Sequence, residues 1–107
     1  ASLSAKVGSI SDNHLGGWYG YRASKAALNM FIKNISIEFK NRNIPCVVLS
    51  IHPGTTDTEL TKPYVNPEKM KVHTVDETAT NIFNLIEDKS LNNSGRFYSW
   101  DGSEIPW

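Results

Sequence analysis

Excess charge of either sign, disulfide chemistry and long apolar runs are what this 107-residue sequence lacks. Eleven Lys and Arg balance eleven Asp and Glu, so no basic surplus announces a nucleic-acid or anionic-membrane partner. One cysteine, Cys46, cannot close a disulfide within the chain, which fits a reducing compartment. No apolar stretch reaches the roughly 20 residues of a membrane span, and residues 1–7 lack the basic region and apolar core of a secretory signal. A soluble, cytoplasmic protein is expected, with neither nucleic acid nor membrane as a partner. His14, His52 and His73 lie far apart in sequence with no Cys or carboxylate cluster beside them, so no metal is expected.

What is present is ordinary for a folded domain. Hydrophobic residues make up 39% and charged residues 21%, with seven Gly and five Pro, which excludes a disordered or collagen-like chain. One domain is expected at this length. The chain starts at Ala1 without Met, and residues 1–7 read as the tail of a strand entering a loop. A piece of a longer sequence is therefore expected.

Residues 9–20 are rich in turn formers. Ala27, Leu28, Met30, Phe31, Ile32, Asn34, Ile35 and Phe39 then recur at helical spacing, giving a broad apolar stripe that Asn41-Arg42-Asn43 and Pro45 end. Cys46-Val47-Val48-Leu49-Ser50-Ile51 is too short for a helix and rich in β-branched residues, which suits a strand buried on both faces. Pro53-Gly54 stops it. Residues 55–70 are irregular, with room for one helical turn. Thr74-Val75-Asp76-Glu77 is a capping-box pattern opening a helix carried by Ala79, Ile82, Phe83 and Ile86. Asn92-Asn93-Ser94-Gly95 is a turn, and residues 96–100 alternate as a final strand. Helices alternating with buried strands argue α/β with a parallel sheet. Two or three parallel strands cannot cover both faces and both edges, so half of a sheet is expected.

Tyr21-Arg22-Ala23-Ser24-Lys25 opens the long helix. A spacing of four sets Tyr21 and Lys25 one turn apart on one face. An ammonium beside a phenol favours the phenolate, which lets a tyrosine give or take a proton in catalysis. Such pairs are also common on solvated helices, so the pair alone names no reaction.

Its surroundings narrow the choice. Tyr21-Arg-Ala-Ser-Lys-Ala-Ala-Leu-Asn follows a Ser/Gly-rich loop, and a buried strand later ends in His52-Pro53-Gly54-Thr55-Thr56-Asp57-Thr58. This resembles the C-terminal half of a short-chain dehydrogenase/reductase. Gly8-Ser-Ile-Ser-Asp-Asn, Gly16-Gly17-Trp18 and Gly95-Arg-Phe-Tyr-Ser-Trp-Asp-Gly are similar to the C-factor/sniffer-like carbonyl reductase group. The likeness covers essentially the whole chain. It implies an α/β fold, the C-terminal part of a doubly wound parallel-sheet, Rossmann-like domain over residues 1–107. The Gly-rich N-terminal half would be absent. It also implies an NAD(P)-dependent oxidoreductase, reducing carbonyls or oxidising alcohols by hydride transfer, with NADP or NAD as cofactor and a small carbonyl or alcohol as substrate.

In that family the tyrosine is the acid/base, the lysine holds the nicotinamide ribose and eases the tyrosine's deprotonation, and a serine polarises the carbonyl. Tyr21 and Lys25 match the first two. Family members commonly end the preceding strand in Ser-Ser-x-x-Gly with the second serine catalytic. Here Ser4-Ala5-Lys6-Val7-Gly8 puts Ala5 at that place. Ser9, twelve residues before Tyr21, is near the usual spacing and ranks ahead of Ser4.

The family's Pro-Gly-x-x-x-Thr segment binds the nicotinamide carboxamide, which implies cofactor contacts from Pro53, Gly54, Thr55, Thr56 and Thr58 besides Tyr21 and Lys25. Thr56 stands at a usually aliphatic position. The Gly-x-x-x-Gly-x-Gly phosphate loop, the residue choosing NAD or NADP and the active-site Asn lie upstream in full-length members.

Trp18 and Tyr19 either line the substrate pocket or pack the loop. Lys69 and Lys71 are expected in solvent, Arg22 facing away from Tyr21, and Cys46 buried as a small hydrophobe. A homo-oligomer is compatible with the family. Two rival readings are a non-catalytic signalling or binding protein of the same fold and an inert truncated fragment.

Overall fold

The computed structural model describes residues 1–56, 58 and 71–107. Six elements follow one another: β1 (Ser2–Leu3), α1 (Tyr19–Asn41), β2 (Leu49–His52), α2 (Val75–Asp88), β3 (Arg96–Ser99) and β4 (Glu104–Ile105). The four strands described build one sheet in the order β1-β2-β3-β4. The first three strands are parallel, with Leu3 beside Ile51 and Ile51 beside Tyr98. β4 runs antiparallel to β3 and pairs Ile105 with Phe97. The expected mixed α/β fold with a parallel sheet is what forms.

Strand alternation sorts the two helices. On β2, Leu49 and Ile51 point to one face and join Tyr98, Leu85 and the flanking Ile82 in the buried core, so α2 covers that face. Ser50 points to the other face, where its hydroxyl donates to Asn29 Oδ1 of α1 at 2.7 Å. Phe97, beside Ser50 in register and fully buried, lies on the α1 face too. The helices therefore sit on opposite faces of the sheet.

Several elements differ from expectation. β2 begins at Leu49 rather than at Cys46. Val48 N donates to Ser94 Oγ at 2.9 Å, and Val48 O accepts from Gly95 N at 2.7 Å, so a turn rather than a strand partners this stretch. Cys46 lies before the strand and is exposed, not buried. Around Cys46, Pro45 supplies no amide proton to a ladder. β4 was not legible, being two residues long. Nor does the broad stripe of α1 all face inward. Its buried residues are Asn29, Ile32 and Ser36, while Met30, Phe31 and Ile35 are exposed. The sheet offers Ser50 to the helix, and a polar residue, Asn29, faces it. On α2, Leu85 is buried and Phe83 and Ile86 are exposed.

Helix ends follow the sequence more closely. Asn43 takes a left-handed conformation just past α1, ahead of Pro45. At the start of α2, Thr74 Oγ1 accepts from Glu77 N and Glu77 Oε1 accepts from Thr74 N, both at 3.1 Å, completing the capping box. Hydrogen bonding from the Thr74 backbone amide, and next from its side chain, holds the Glu77 carboxyl below its ordinary range. The helical turn expected within residues 55–70, like Lys69, falls largely outside the described residues.

Candidate active site

In an open parallel sheet, chemistry collects outside the carboxyl ends of the strands. Here those ends carry Ser4 after β1, Pro53 and Gly54 after β2, and Trp100 and Asp101 after β3. α1 starts at the same edge, because a tight turn at Lys6–Gly8 leads away from β1 and leans on the helix. The lean is close: a Cβ at Gly8 would sit 2.7 Å from Lys25 Cβ and 2.9 Å from the Lys25 carbonyl carbon. Only a glycine admits that approach.

Tyr21 and Lys25 are brought together on the first turns of α1. Lys25 Nζ lies 5.8 Å from the centre of the Tyr21 ring, and Trp18 meets that ring edge-on at 6.1 Å. Tyr21 is 48% exposed. Trp18 and Tyr19 are more exposed still. Arg22 turns away toward the loop before the helix. Its Nε donates to Gly17 O at 3.0 Å, and its Nη1 and Nη2 donate to Val7 O and Gly16 O at 3.2 Å. One guanidinium thus gathers three loop carbonyls around the start of the helix.

The two candidate serines have different surroundings. Ser9 is 1% exposed, its hydroxyl donates to Pro106 O, and its oxygen accepts from Asp12 N at 3.1 Å. Its proton is already committed. Ser4 is also buried, yet its hydroxyl has no partner among the described residues. Ala5, between β1 and the tight turn, brings no hydroxyl.

The Pro53-Gly54 turn is backed by aromatic rings. Gly54 has φ of 80°, and a Cβ there would lie 2.9 Å from Trp100 Cδ1 and 3.2 Å from His73 Cε1. Only glycine fits both the conformation and the space. His73 meets Trp100 edge-on at 4.4 Å, and Lys71, exposed as expected, sets its Nζ 4.9 Å above the same ring. His73 N donates to Thr55 O at 2.8 Å, and the hydroxyls of Thr56 and Thr78 meet at 2.8 Å, tying the turn to α2. Thr58 is half-buried.

His52 occupies the end of β2, where Lys6 N donates to its Nδ1 at 3.1 Å. Burial, helped by the Lys6 charge and His73 and opposed by Asp101, holds its imidazole below the ordinary 6.5. The structure thus brings together two histidines that are far apart in sequence. Among the described residues no group of three or more His, Cys, Asp or Glu is placed to hold a metal ion. Asp101 Oδ1 accepts from Ser103 Oγ at 2.6 Å and Ser103 N at 3.0 Å, which keeps that carboxyl below its usual range.

Three contributors escaped the sequence reading: Asn29, Trp100 and residues 106–107. Asn29 left a signal, since it stands four residues after Lys25 and eight after Tyr21 on the same helix line. The other two contacts span the chain and left none.

Comparison with known proteins adds to this geometry. Residues 6–69 match the family model described as short chain dehydrogenase. A 1-hydroxy-2-glutathionyl-2-methyl-3-butene dehydrogenase of Rhodococcus sp. (strain AD45) is 35% identical over 98% of this chain and 45% of its own length. The C-signal of Myxococcus xanthus is 31% identical over 100% of this chain and 60% of its own. Among solved structures, an NADPH-bound carbonyl reductase from chicken fatty liver superposes with a TM-score of 0.80 at 31% identity, covering 98% of this chain and 41% of that one. Carbonyl reductase Sniffer of D. melanogaster gives 0.81 at 30%, covering 98% and 39%. The chain thus spans about half the length of these curated relatives and about two fifths of the solved ones.

Proposed function

Because the chain belongs to the short chain dehydrogenase family, we propose that residues 1–107 supply the catalytic half of an NADP(H)-dependent oxidoreductase. Its reaction interconverts a small carbonyl compound and the corresponding alcohol. In this reading they form the C-terminal half of a single dinucleotide-binding domain acting in the cytoplasm. The observation that carries the reading is the Tyr21–Lys25 pair, 5.8 Å from ammonium to ring centre, at the carboxyl edge of a parallel sheet.

The residues present fit the nicotinamide end of such a cofactor. Lys25 and Tyr21 stand on an accessible helix face, and Gly54 keeps the turn after β2 free of side chain. No Gly-x-x-x-Gly-x-Gly sequence for the pyrophosphate occurs within the 107 residues. The NADPH-bound chicken reductase and an NADP-bound short-chain dehydrogenase/reductase from Burkholderia multivorans support the phosphorylated dinucleotide over NAD. When bound, the cofactor supplies or accepts the hydride.

The side chains do the rest. Tyr21 passes a proton to the substrate oxygen or takes it back, and the Lys25 ammonium stabilises the phenolate left behind and binds the ribose hydroxyls. Pro53, Gly54, Thr55, Thr56 and Thr58 shape the carboxamide side. Ser4, whose hydroxyl has no other partner among the described residues, is the better candidate to polarise the oxygen; Ser9 would first have to release Pro106.

Tyr21→Phe tests this in the whole protein that carries the chain. Carbonyl reduction should fall by about 10²–10⁴-fold, with melting near that of the wild type because Phe keeps the ring at a half-exposed position. A variant that keeps most of its turnover removes the assignment. The likeness to C-signal over the whole chain supports a second reading, a signalling or binding protein of this fold. Absence of NADPH turnover in the wild-type protein, with its fold intact, selects that alternative. The exposed apolar side chains Met30, Phe31 and Ile35 of α1 support association with the other half of the domain or with a second copy.

A further inference from the structure

A line of contacts runs along the α1 face from the β3–β4 edge of the sheet to the Tyr21–Lys25 pair. Trp107 stacks on the fully buried Phe97 of β3, ring centres 5.6 Å apart and planes within 21°. From that anchor, Trp107 O accepts from Ile10 N at 2.6 Å and Pro106 O accepts the Ser9 hydroxyl proton. Ser9 N in turn donates to Lys6 O at 3.0 Å, closing the Lys6–Gly8 turn whose last residue presses on Lys25. Arg22 adds its bond to Val7 O within the same turn.

We propose that residues 105–107 act as a clamp that holds the 7–10 segment against α1 and so fixes Lys25 relative to Tyr21, with Ser9 and Trp107 as its positioning residues. One backbone bond, from Ile10 N to Trp107 O, and one side-chain bond, from Ser9 Oγ to Pro106 O, each reach across 97 residues of sequence, and the ring stack on Phe97 anchors their acceptor end. That segment leaves no space between Gly8 and Lys25 for even a methyl group. Movement of the clamp is therefore transmitted to Lys25 rather than absorbed. Its consequence for catalysis rests on the roles proposed above for Tyr21 and Lys25; its test does not.

The test is nuclear magnetic resonance on the whole protein that carries the chain, without cofactor or turnover. Ser9→Ala, Trp107→Ala and Trp107→Phe are compared with Ile82→Val, a control on the opposite face. Ser9→Ala and Trp107→Ala should speed Ile10 amide exchange by about tenfold or more. They should also weaken the cross-relaxation between Gly8 and Lys25 and between Lys25 and the Tyr21 ring. Trp107→Phe, which keeps a stacking ring, should restore both contacts, and Ile82→Val should leave them alone. If Trp107→Ala fails to fold, Ser9→Ala and Trp107→Phe are read alone. Faster Ile10 exchange with both Lys25 contacts unchanged overturns the proposal, as does an equal loss in Ile82→Val. Wild-type contacts with no NADPH turnover would leave the clamp standing and remove only the oxidoreductase reading.

Discussion

Ser9 and His52 show how much a single side chain's surroundings decide. Ser9 ranked first as a catalytic serine on spacing, yet its hydroxyl joins Pro106 O to Asp12 N in a site with almost no solvent. Ser9→Ala strands both groups and should cost about 1–3 kcal/mol in chemical denaturation. His52 makes a pH prediction. Its imidazole, held below 6.5 chiefly by burial and then by Lys6, binds its proton less readily folded than unfolded. The contribution is intact above about 6.5, and stability is lost as pH falls below it. Melting temperatures of wild type and His52→Asn, followed from about pH 7.5 to about pH 5.5, should diverge at the acid end. The asparagine keeps an acceptor for Lys6 N and cannot take a proton, so its curve should be flatter. Equal slopes would show that another group sets the acid limb.

At the scale of the element, α1 is seated by a polar contact inside an apolar interface. Asn29 Oδ1 accepts from Ser50 while its Nδ2 has no partner among the described residues. Ser50→Ala leaves both the oxygen and the nitrogen of the buried Asn29 amide without partners, whereas Asn29→Leu removes the orphaned Nδ2 and leaves only the Ser50 hydroxyl without its acceptor. Ser50→Ala should therefore be the costlier change, by about 1–3 kcal/mol in itself, and the double variant should recover part of the loss. Equal, additive losses in a double-mutant cycle would mean that the pair does not couple α1 to β2. Gly54→Ala should cost more than about 1 kcal/mol, since its backbone is left-handed and Trp100 fills the space.

These elements also mark where sequence was readable. The capping box of α2, the Pro-Gly stop of β2 and the alternation of helix and strand are local patterns, and local patterns survive folding. Which residues of α1 face inward is set by Ser50, more than twenty residues away, and the apolar stripe alone pointed to Met30 and Phe31. Tyr21 and Lys25 were visible through helical spacing. The burial of Ser9 against Pro106 and the packing of Trp100 and His73 behind Gly54 come from residues distant in the chain, beyond the reach of any spacing rule.

For the whole molecule, β1, β2 and β3 step across the sheet in one direction while α1 and α2 lie on opposite faces. The two crossovers must then have opposite hands, so one of them is the rare left-handed kind. Uncovered surface is equally informative. β1 has no neighbour on its outer edge among the described strands, and Leu3, Met30 and Phe31 are more than half exposed. Such surface suits a sheet that continues. In the proposed reading the chain holds only the nicotinamide side of the cofactor, and its sequence has no Gly-x-x-x-Gly-x-Gly loop. Calorimetry of the 107-residue chain with NADPH should accordingly show a Kd weaker than about 1 mM. Micromolar binding would place the pyrophosphate grip within these residues.

The packing of Trp100 against Gly54 gives the turn an optical signature of its own. Of the three tryptophans, Trp18 stands largely in solvent and Trp107 is stacked on Phe97. Trp100 alone is wedged between a glycine backbone, the edge of His73 and the Lys71 ammonium. In a chain with Trp18→Phe and Trp107→Phe, emission colour and quenching therefore report the state of the Pro53-Gly54 turn. A molecule settling on that turn should be detectable as a change in fluorescence before any reaction is measured.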